Sequence, residues 1–110
     1  MTLSPENGGT VQAALTLMIG AGTYVMHLDG HSLQPNARYF VNTHFGTCGA
    51  GEDITQSQPV GTLAADAAGN GVLERSYARS YPGGGIITIH GYNGSGNELG
   101  HISCAELPAA

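Results

Sequence analysis

The feature that most constrains this chain is an alternation of apolar and polar residues with a period of two, repeated in short segments. Tyr24, Met26 and Leu28 occupy one set of alternate positions, while the residues between them are mostly polar or smaller. This alternation is typical of β-strands with one buried face, because successive side chains of a strand point to opposite sides. It predicts strands over 10–17, 23–29, 37–44, 59–66, 72–78, 86–90 and 99–107.

Turn-forming residues separate these segments, for example Asp-Ala-Ala-Gly-Asn-Gly at 66–71 and Pro-Gly-Gly-Gly at 82–85. Gly and Asn tolerate the positive φ angles that tight connections need. No stretch has a helical period. We therefore predict an all-β fold, a Greek-key antiparallel β-sandwich or flattened barrel of seven to eight strands. We expect residues 10–110 to form this one domain, and residues 1–9 to be a flexible N-terminal arm or an edge strand.

The charged residues exclude several classes of partner. The chain has three Arg, no Lys and eight carboxylates, for a formal net charge of -5. Nucleic-acid binding is excluded because almost nothing neutralises phosphates, and electrostatic binding to anionic membranes is excluded for the same reason. No segment approaches the ~18–20 consecutive apolar residues that span a bilayer.

The two cysteines, Cys48 and Cys104, have neither a CxxC spacing nor a zinc-site spacing. In a small glycine-rich domain they suggest one long-range disulfide and an oxidising compartment. The alternative is two buried free cysteines, which are common in cores. We expect an extracytoplasmic location, periplasmic or secreted. The apolar run at 13–22 lacks a basic flank, and we do not interpret it as a signal peptide.

Five short blocks occur in an order and spacing that point to a family. Phe-Gly-Thr-Cys at 45–48 follows His44 on a predicted strand, and the other four blocks lie at 32–36, 60–69, 86–90 and 100–105. Together they resemble the Cu/Zn superoxide dismutases over roughly residues 10–107, and most closely the small secreted bacterial relatives. The resemblance implies an eight-stranded Greek-key fold in which Cys48 is bridged to Cys104.

The resemblance also implies where metal ligands would lie. His44 and His90 match two copper ligands, whereas the first member of the family's His-x-His pair is Asn42 here. His101 stands at the position of the family's catalytic Arg. His44 and His90 are expected on one face of neighbouring strands. A site made by His44, His90 and His101 is the sharpest metal hypothesis, with weakly bound copper or zinc. The alternative is a pair of half-buried histidines that only form hydrogen bonds.

Other ligand positions of the family are degenerate in this chain. Gln58 is the nearest equivalent of the copper ligand in the loop after the first cysteine, and Thr62 replaces the zinc-binding Asp. Neutral amides are poor ligands for a copper ion that cycles between two oxidation states. The loop at 91–100 carries one charge, Glu98, of the wrong sign to attract an anion. His27 and His31, four apart near a strand end, are interpreted as solvated and on different faces.

These observations support two hypotheses. In the first, this is a secreted dismutase-like domain that has lost dismutase activity, has no catalytic residues and needs no cofactor. It would serve as a structural or interaction module, with a protein partner or a second copy at its sheet edges. In the alternative, it is a copper-binding or copper-only superoxide dismutase with a rearranged histidine site.

Overall fold

Eight antiparallel strands, with no α-helix among the described residues, form the computed structural model of the chain. The predicted all-β fold is confirmed. The structure describes residues 1–5, 11–49, 52–92 and 98–110, and the side chains of these residues except those at 52–56, 92 and 98–102. The strands are β1 (Thr2–Pro5), β2 (Gln12–Gly20), β3 (Thr23–His31), β4 (Arg38–Gly46), β5 (Glu52–Ala64), β6 (Gly71–Tyr77), β7 (Ile86–Tyr92) and β8 (Glu98–Glu106).

The strands lie in the order β5-β4-β7-β8-β1-β2-β3-β6 and curl into a nearly closed, flattened barrel. β1 joins its two halves, because Thr2 and Leu3 pair with β2 whereas Ser4 and Pro5 pair with β8. Residues 2–5, expected as an arm or an edge strand, are thus paired on both sides. The two end strands, β5 and β6, lie against each other without a ladder between their described residues.

The interior is filled by one set of alternate residues from each sheet half, as the period of two predicts. In β3 the buried positions are Tyr24, Met26, Leu28 and Gly30, with the intervening residues partly exposed. The largest fully buried apolar side chains come from several strands and include Leu3, Leu28, Val41, Leu63, Ile87 and Ile89. Burial of this apolar area is the main force that holds the two halves together.

Two strands differ from the sequence prediction in ways that matter for the site. β3 continues to His31, beyond the predicted end at residue 29. β5 begins at Glu52, well before the predicted start at residue 59. The β4–β5 pairing has register shifts at Val41/Asn42 and Thr43/Phe45. Such irregularities change which side chains face each other, and alternation alone does not reveal them.

The predicted disulfide is present. Cys48, just after β4, is bonded to Cys104 in β8 across 56 residues of chain, and the described chain has no free cysteine. Because β7 lies between β4 and β8, the bond connects the two flanks of the three-stranded β4–β7–β8 segment. None of the described segments forms a helix that is long and apolar enough to cross a membrane.

Candidate functional site

One face of the β4–β7 pair carries a row of polar residues. Asn42 lies opposite Thr88 across the ladder, and His90 lies opposite Phe40. Directly opposed residues in an antiparallel pair project to the same face, and so do alternate residues along each strand. His44 therefore shares this face with Asn42, Thr88 and His90. The apolar residues Val41, Ile87 and Ile89 alternate with them along the two strands.

His44, Thr88 and His90 form one buried hydrogen-bonded cluster. The Nε2 atom of His44 lies 3.0 Å from Oγ1 of Thr88, and the Nε2 atom of His90 lies 3.1 Å from the same oxygen. The two imidazole rings have centroids 5.8 Å apart and are tilted by 38°. Thr88 is fully buried, and the two histidines are only 6% and 7% exposed. The structure thus brings together the two histidines that the sequence analysis expected on one face.

The chemistry of a hydroxyl restricts the protonation of this cluster. A threonine hydroxyl has one proton to donate and two lone pairs that accept. Since both Nε2 atoms contact the same Oγ1, at least one imidazole must donate from a protonated Nε2. If Thr88 donates instead to the carbonyl oxygen of Asn42, 3.4 Å away, both imidazoles donate. A protonated Nε2 has no lone pair for a metal ion, so metal binding there requires a different tautomer.

The described residues do not complete a metal-ligand set around the two imidazoles. No group of three His, Cys, Asp or Glu side chains that could hold a metal occurs in the described part of the chain. A further polar atom on this face is Oδ1 of Asn42, which is buried and has no hydrogen-bond partner among the described residues. An amide oxygen is a ligand for hard cations, whereas imidazole suits zinc and copper, so the three groups do not match one ion well.

The remaining residues of the hypothetical metal site lie in different places. Gln58 is exposed at the end of the barrel, where its Oε1 accepts a hydrogen bond from Arg79 at 3.4 Å. Thr62 is exposed on β5 and lies opposite Phe40 on β4. Phe40 in turn lies opposite His90 on β7, so it separates Thr62 from His90. Gln58 and Thr62 are therefore not brought together with the two histidines.

The third histidine of the sequence hypothesis, His101, is placed only by its backbone. It lies opposite His90 in the β7–β8 register. Its side chain lies outside the described residues, as do the side chain of Glu98 and the loop residues 93–97.

His27 and His31 depart from the prediction. Because β3 runs through to His31, residues 27, 29 and 31 are alternate positions of one strand and share a face. The prediction that the two histidines lie on different faces is wrong. His27 lies 3.0 Å from the Glu74 carboxylate through Nδ1 and 3.4 Å from the Asp29 carboxylate through Nε2. These are partly exposed contacts, which stabilise a fold little.

A second concave region lies at the end of the barrel, and no sequence motif indicated it. It is a cavity of about 260 Å³, bounded by the end of β4, the start of β3 and the connection at 79–84. Tyr24, Arg79 and Tyr81 line it, and Tyr77 stacks on Tyr24. The available signal was compositional, because two of the three cations and two of the five tyrosines fall within 75–81.

The chain matches no protein-family model and no curated protein at a significant level. The function must therefore be inferred from the chemistry of the histidine cluster and of the barrel-end cavity.

Proposed function

We propose that this chain is a non-catalytic domain of the Cu/Zn superoxide dismutase type, which serves as a structural or interaction module. The observation that supports the proposal is the cluster of His44, Thr88 and His90. Both imidazole Nε2 atoms are held by one threonine hydroxyl in a buried position. The two histidines act here as hydrogen-bonding groups that fix β4 against β7. A fold that is kept while its site changes is common, since fold and function are separable.

The positions at which this chain lacks the metal ligands of the family that it resembles also support a non-catalytic domain. A redox copper site needs several imidazole or thiolate ligands converging on one point. Here an amide, Asn42, and a hydroxyl, Thr88, lie on the same face as the two histidines. Amide and hydroxyl groups are poor ligands for a redox copper ion, so we expect these two residues to add little to copper binding by the imidazoles.

The module is proposed to work outside the cytoplasm. The Cys48–Cys104 disulfide persists in oxidising compartments and is rare where thiols are kept reduced. The surface, short of charges and without lysine, gives a partner few ionic contacts. We propose that a protein partner or a second copy binds by strand pairing at the edge of β5 or β6. These end strands lie against each other without a ladder in the described backbone, so a partner strand would have to enter between them.

The alternative function is copper binding at the same histidines. It is favoured by one observation, that two buried Nε2 atoms lie within 3.1 Å of a common oxygen. If the tautomers change, both nitrogens present lone pairs to one small region. The two functions differ in what copper does to the folded protein, and this difference can be measured.

The test adds Cu(II) to the metal-free protein and measures bound metal per chain, the copper electron paramagnetic resonance spectrum, Tm and superoxide dismutation. The key variant is His44→Gln with His90→Gln. The matched control is His27→Gln with His31→Gln, which removes one partly exposed and one exposed imidazole. The proposal expects no dismutation. Any Cu(II) that binds should be held by the accessible histidines His27 and His31. It should therefore be lost in the control variant and retained in the His44/His90 variant. A ligand that binds only the native state must raise Tm.

One Cu(II) per wild-type chain, with imidazole nitrogen signals, a raised Tm and dismutation, would overturn the proposal. The wild-type measurements alone can give this result, so the conclusion does not depend on the folding of the double variant. Loss of these signals in the His44/His90 variant and their retention in the control would then assign the copper to the buried pair.

A further inference from the structure

The buried lining of the cavity at the end of the barrel is mainly aromatic and apolar and includes His44, while both polar and apolar residues are exposed at its opening. Tyr24 and Met26 are each only 3% exposed, and Tyr81 is 7% exposed. The exposed lining residues include Gln58 and Arg79. The mouths of β-barrels are common ligand sites, and such sites combine an apolar lining with a few polar groups that orient the ligand. This cavity has both parts.

The cavity volume limits the size of a ligand. At about 260 Å³ it lies just below the roughly 300–1,000 Å³ of pockets that hold drug-sized molecules. It exceeds the roughly 150 Å³ of an apolar cavity that accommodates benzene. The fitting ligand is therefore about one substituted ring in size.

The buried part of the lining is suited to an aromatic ring. Tyr24 is stacked on Tyr77 with centroids 4.4 Å apart, and Tyr81 meets Tyr24 edge-on at 5.4 Å and 72°. The Tyr81 hydroxyl donates to the Pro108 carbonyl oxygen at 2.6 Å, which fixes the ring. A ring that enters such a cluster gains stacked or edge contacts in addition to burial of apolar area.

The polar part is suited to an anion. Arg75 and Arg79 both lie over the Tyr77 ring, each with its guanidinium carbon 5.3 Å from the centroid. Neither guanidinium has a carboxylate partner among the described side chains. The chain has a net charge of -5 and only three Arg. Two of these cations on one ring therefore create a positive electrostatic potential on a protein that is otherwise mostly negative.

Donor groups also converge at this opening. Arg79 Nη2 donates to the Tyr24 hydroxyl at 3.3 Å and to Gln58 Oε1 at 3.4 Å, both long contacts. Since the Tyr24 oxygen and the Gln58 oxygen accept these bonds, the tyrosine proton and the Gln58 amide hydrogens remain to donate. A guanidinium, a phenol and an amide thus offer hydrogen-bond donors at one opening, as a carboxylate requires.

We propose that this cavity binds a small aromatic carboxylate. The ring lies against Tyr24 and Tyr81, and the carboxylate accepts hydrogen bonds from Arg79 and its neighbours at the opening. His44 of the histidine cluster borders this cavity, but the proposed recognition uses the tyrosines and Arg79 and not the imidazoles. The inference therefore does not rest on the proposed function of the domain.

The test uses benzoate as the probe, with benzamide as a neutral control of the same shape and acetate as a charged control without a ring. Binding is measured by isothermal titration calorimetry and by shifts of backbone amide resonances. We expect saturable benzoate binding that shifts the resonances of Tyr24, Thr43, Tyr81 and Leu107. Benzamide and acetate should bind at least about tenfold more weakly, because benzamide lacks the negative charge and acetate lacks the ring.

Arg79→Gln should weaken benzoate binding at least about tenfold and leave benzamide binding unchanged. Arg38→Gln is the matched control, since it removes the same charge at the exposed start of β4, away from the cavity. Tyr24→Phe deletes one donor without changing the ring and should weaken benzoate but not benzamide. Absence of saturable benzoate binding to the wild type, shifts that map elsewhere, or equal losses in the Arg38 and Arg79 variants would overturn the proposal.

Discussion

Thr88 on β7 and Cys104 on β8 lie directly opposite each other in the sheet. The residue that holds both imidazoles is therefore one strand away from the disulfide, on the same face. Asn42 lies opposite Thr88 on its other side, so a single row across β4, β7 and β8 contains the amide, the hydroxyl and the half-cystine. The disulfide joins the end of β4 to β8, and the polar cluster joins β4 to β7, which lies between them.

The first prediction concerns the hydroxyl at the centre of that row. Thr88→Val keeps the side-chain shape and should lower the free energy of unfolding by about 1–3 kcal/mol, because buried hydrogen bonds to two imidazoles are lost. Urea unfolding of the variant and the wild type measures the change. Thr62→Val, at an exposed position of β5, is the matched control and should be nearly neutral. Equal effects of the two substitutions would show that the cluster contributes no specific stability.

The second prediction concerns the disulfide. Reduction of the Cys48–Cys104 bond should lower stability by about 4 kcal/mol on the chain-entropy account, because the bond closes a loop of 56 residues. Unfolding of the oxidised and reduced wild-type protein gives the difference. Alkylation before reduction should label neither cysteine, and the intact mass should rise by two hydrogen atoms after reduction. Free thiols in the native, unreduced protein would contradict the assignment.

The third prediction compares two adjacent glycines in the connection that leads into β7. Gly84 and Gly85 have φ angles of +73° and +79°, which favour glycine at both positions. A Cβ atom at Gly85 would lie 2.5 Å from the carbonyl oxygen of His44, whereas one at Gly84 would meet nothing within 4 Å. Gly84→Ala should therefore cost about 1 kcal/mol from backbone strain alone. Gly85→Ala should cost clearly more, and it should disturb the resonances of His44.

Thermal unfolding and NMR spectra of the two alanine variants measure this difference. The Gly84 variant serves as the control for strain at positive φ. If Gly85→Ala is as mild as Gly84→Ala, the close approach of the connection to β4 is not a constraint on the fold.

The fourth prediction concerns alkaline pH. Burial raises the pKa of Tyr77 and of Tyr81 above the usual value of 10.0, and the neighbouring Tyr24 adds to the shift in both. Above about pH 10, the folded protein therefore keeps these phenol protons when the unfolded chain has already lost them. The contribution of these tyrosines to the free energy of unfolding is therefore fully present below about pH 10. It is lost as the pH rises through their pKa values in the folded protein.

The double variant Tyr77→Phe with Tyr81→Phe should show a shallower loss of stability above about pH 10 than the wild type. Slopes with pH are compared, because loss of the Tyr81 hydrogen bond to Pro108 lowers stability at every pH. Identical slopes in the two proteins would contradict the assignment of the alkaline loss to these rings.

Local patterns predicted much of the fold. The alternation through Tyr24, Met26 and Leu28 identified a strand with one buried face, and the structure buries these three side chains. The pairing of Cys48 with Cys104 was implied by the family resemblance and is present. The extent of β5 could not be predicted, because residues 52–58 are mostly polar and carry no alternation of apolar residues. A strand that forms because its backbone pairs with a neighbouring strand, and not because it buries an apolar face, shows no alternation in its sequence.

The candidate sites were harder to predict, because they depend on register between distant strands. His44 and His90 were assigned to one face, but the bridging role of Thr88 requires the pairing of Thr88 with Asn42. The cavity at the barrel end was not foreseen, since Tyr24 and Arg79 are 55 residues apart in sequence. A period of two identifies the face of a residue and not its neighbour on the next strand.

The junction of β5 and β6 has a consequence for motion. Within the described backbone no ladder joins these strands, and Arg75 Nη1 reaches across to the Val60 carbonyl oxygen at 3.2 Å. The barrel is therefore closed at this point by side-chain contacts, among them the Arg75 bond and Leu73 beside Gly61, and not by a backbone ladder. We expect this junction to open more readily than any strand pair joined by a ladder, so amide hydrogens along both edges should exchange with solvent while the other strand pairs stay intact.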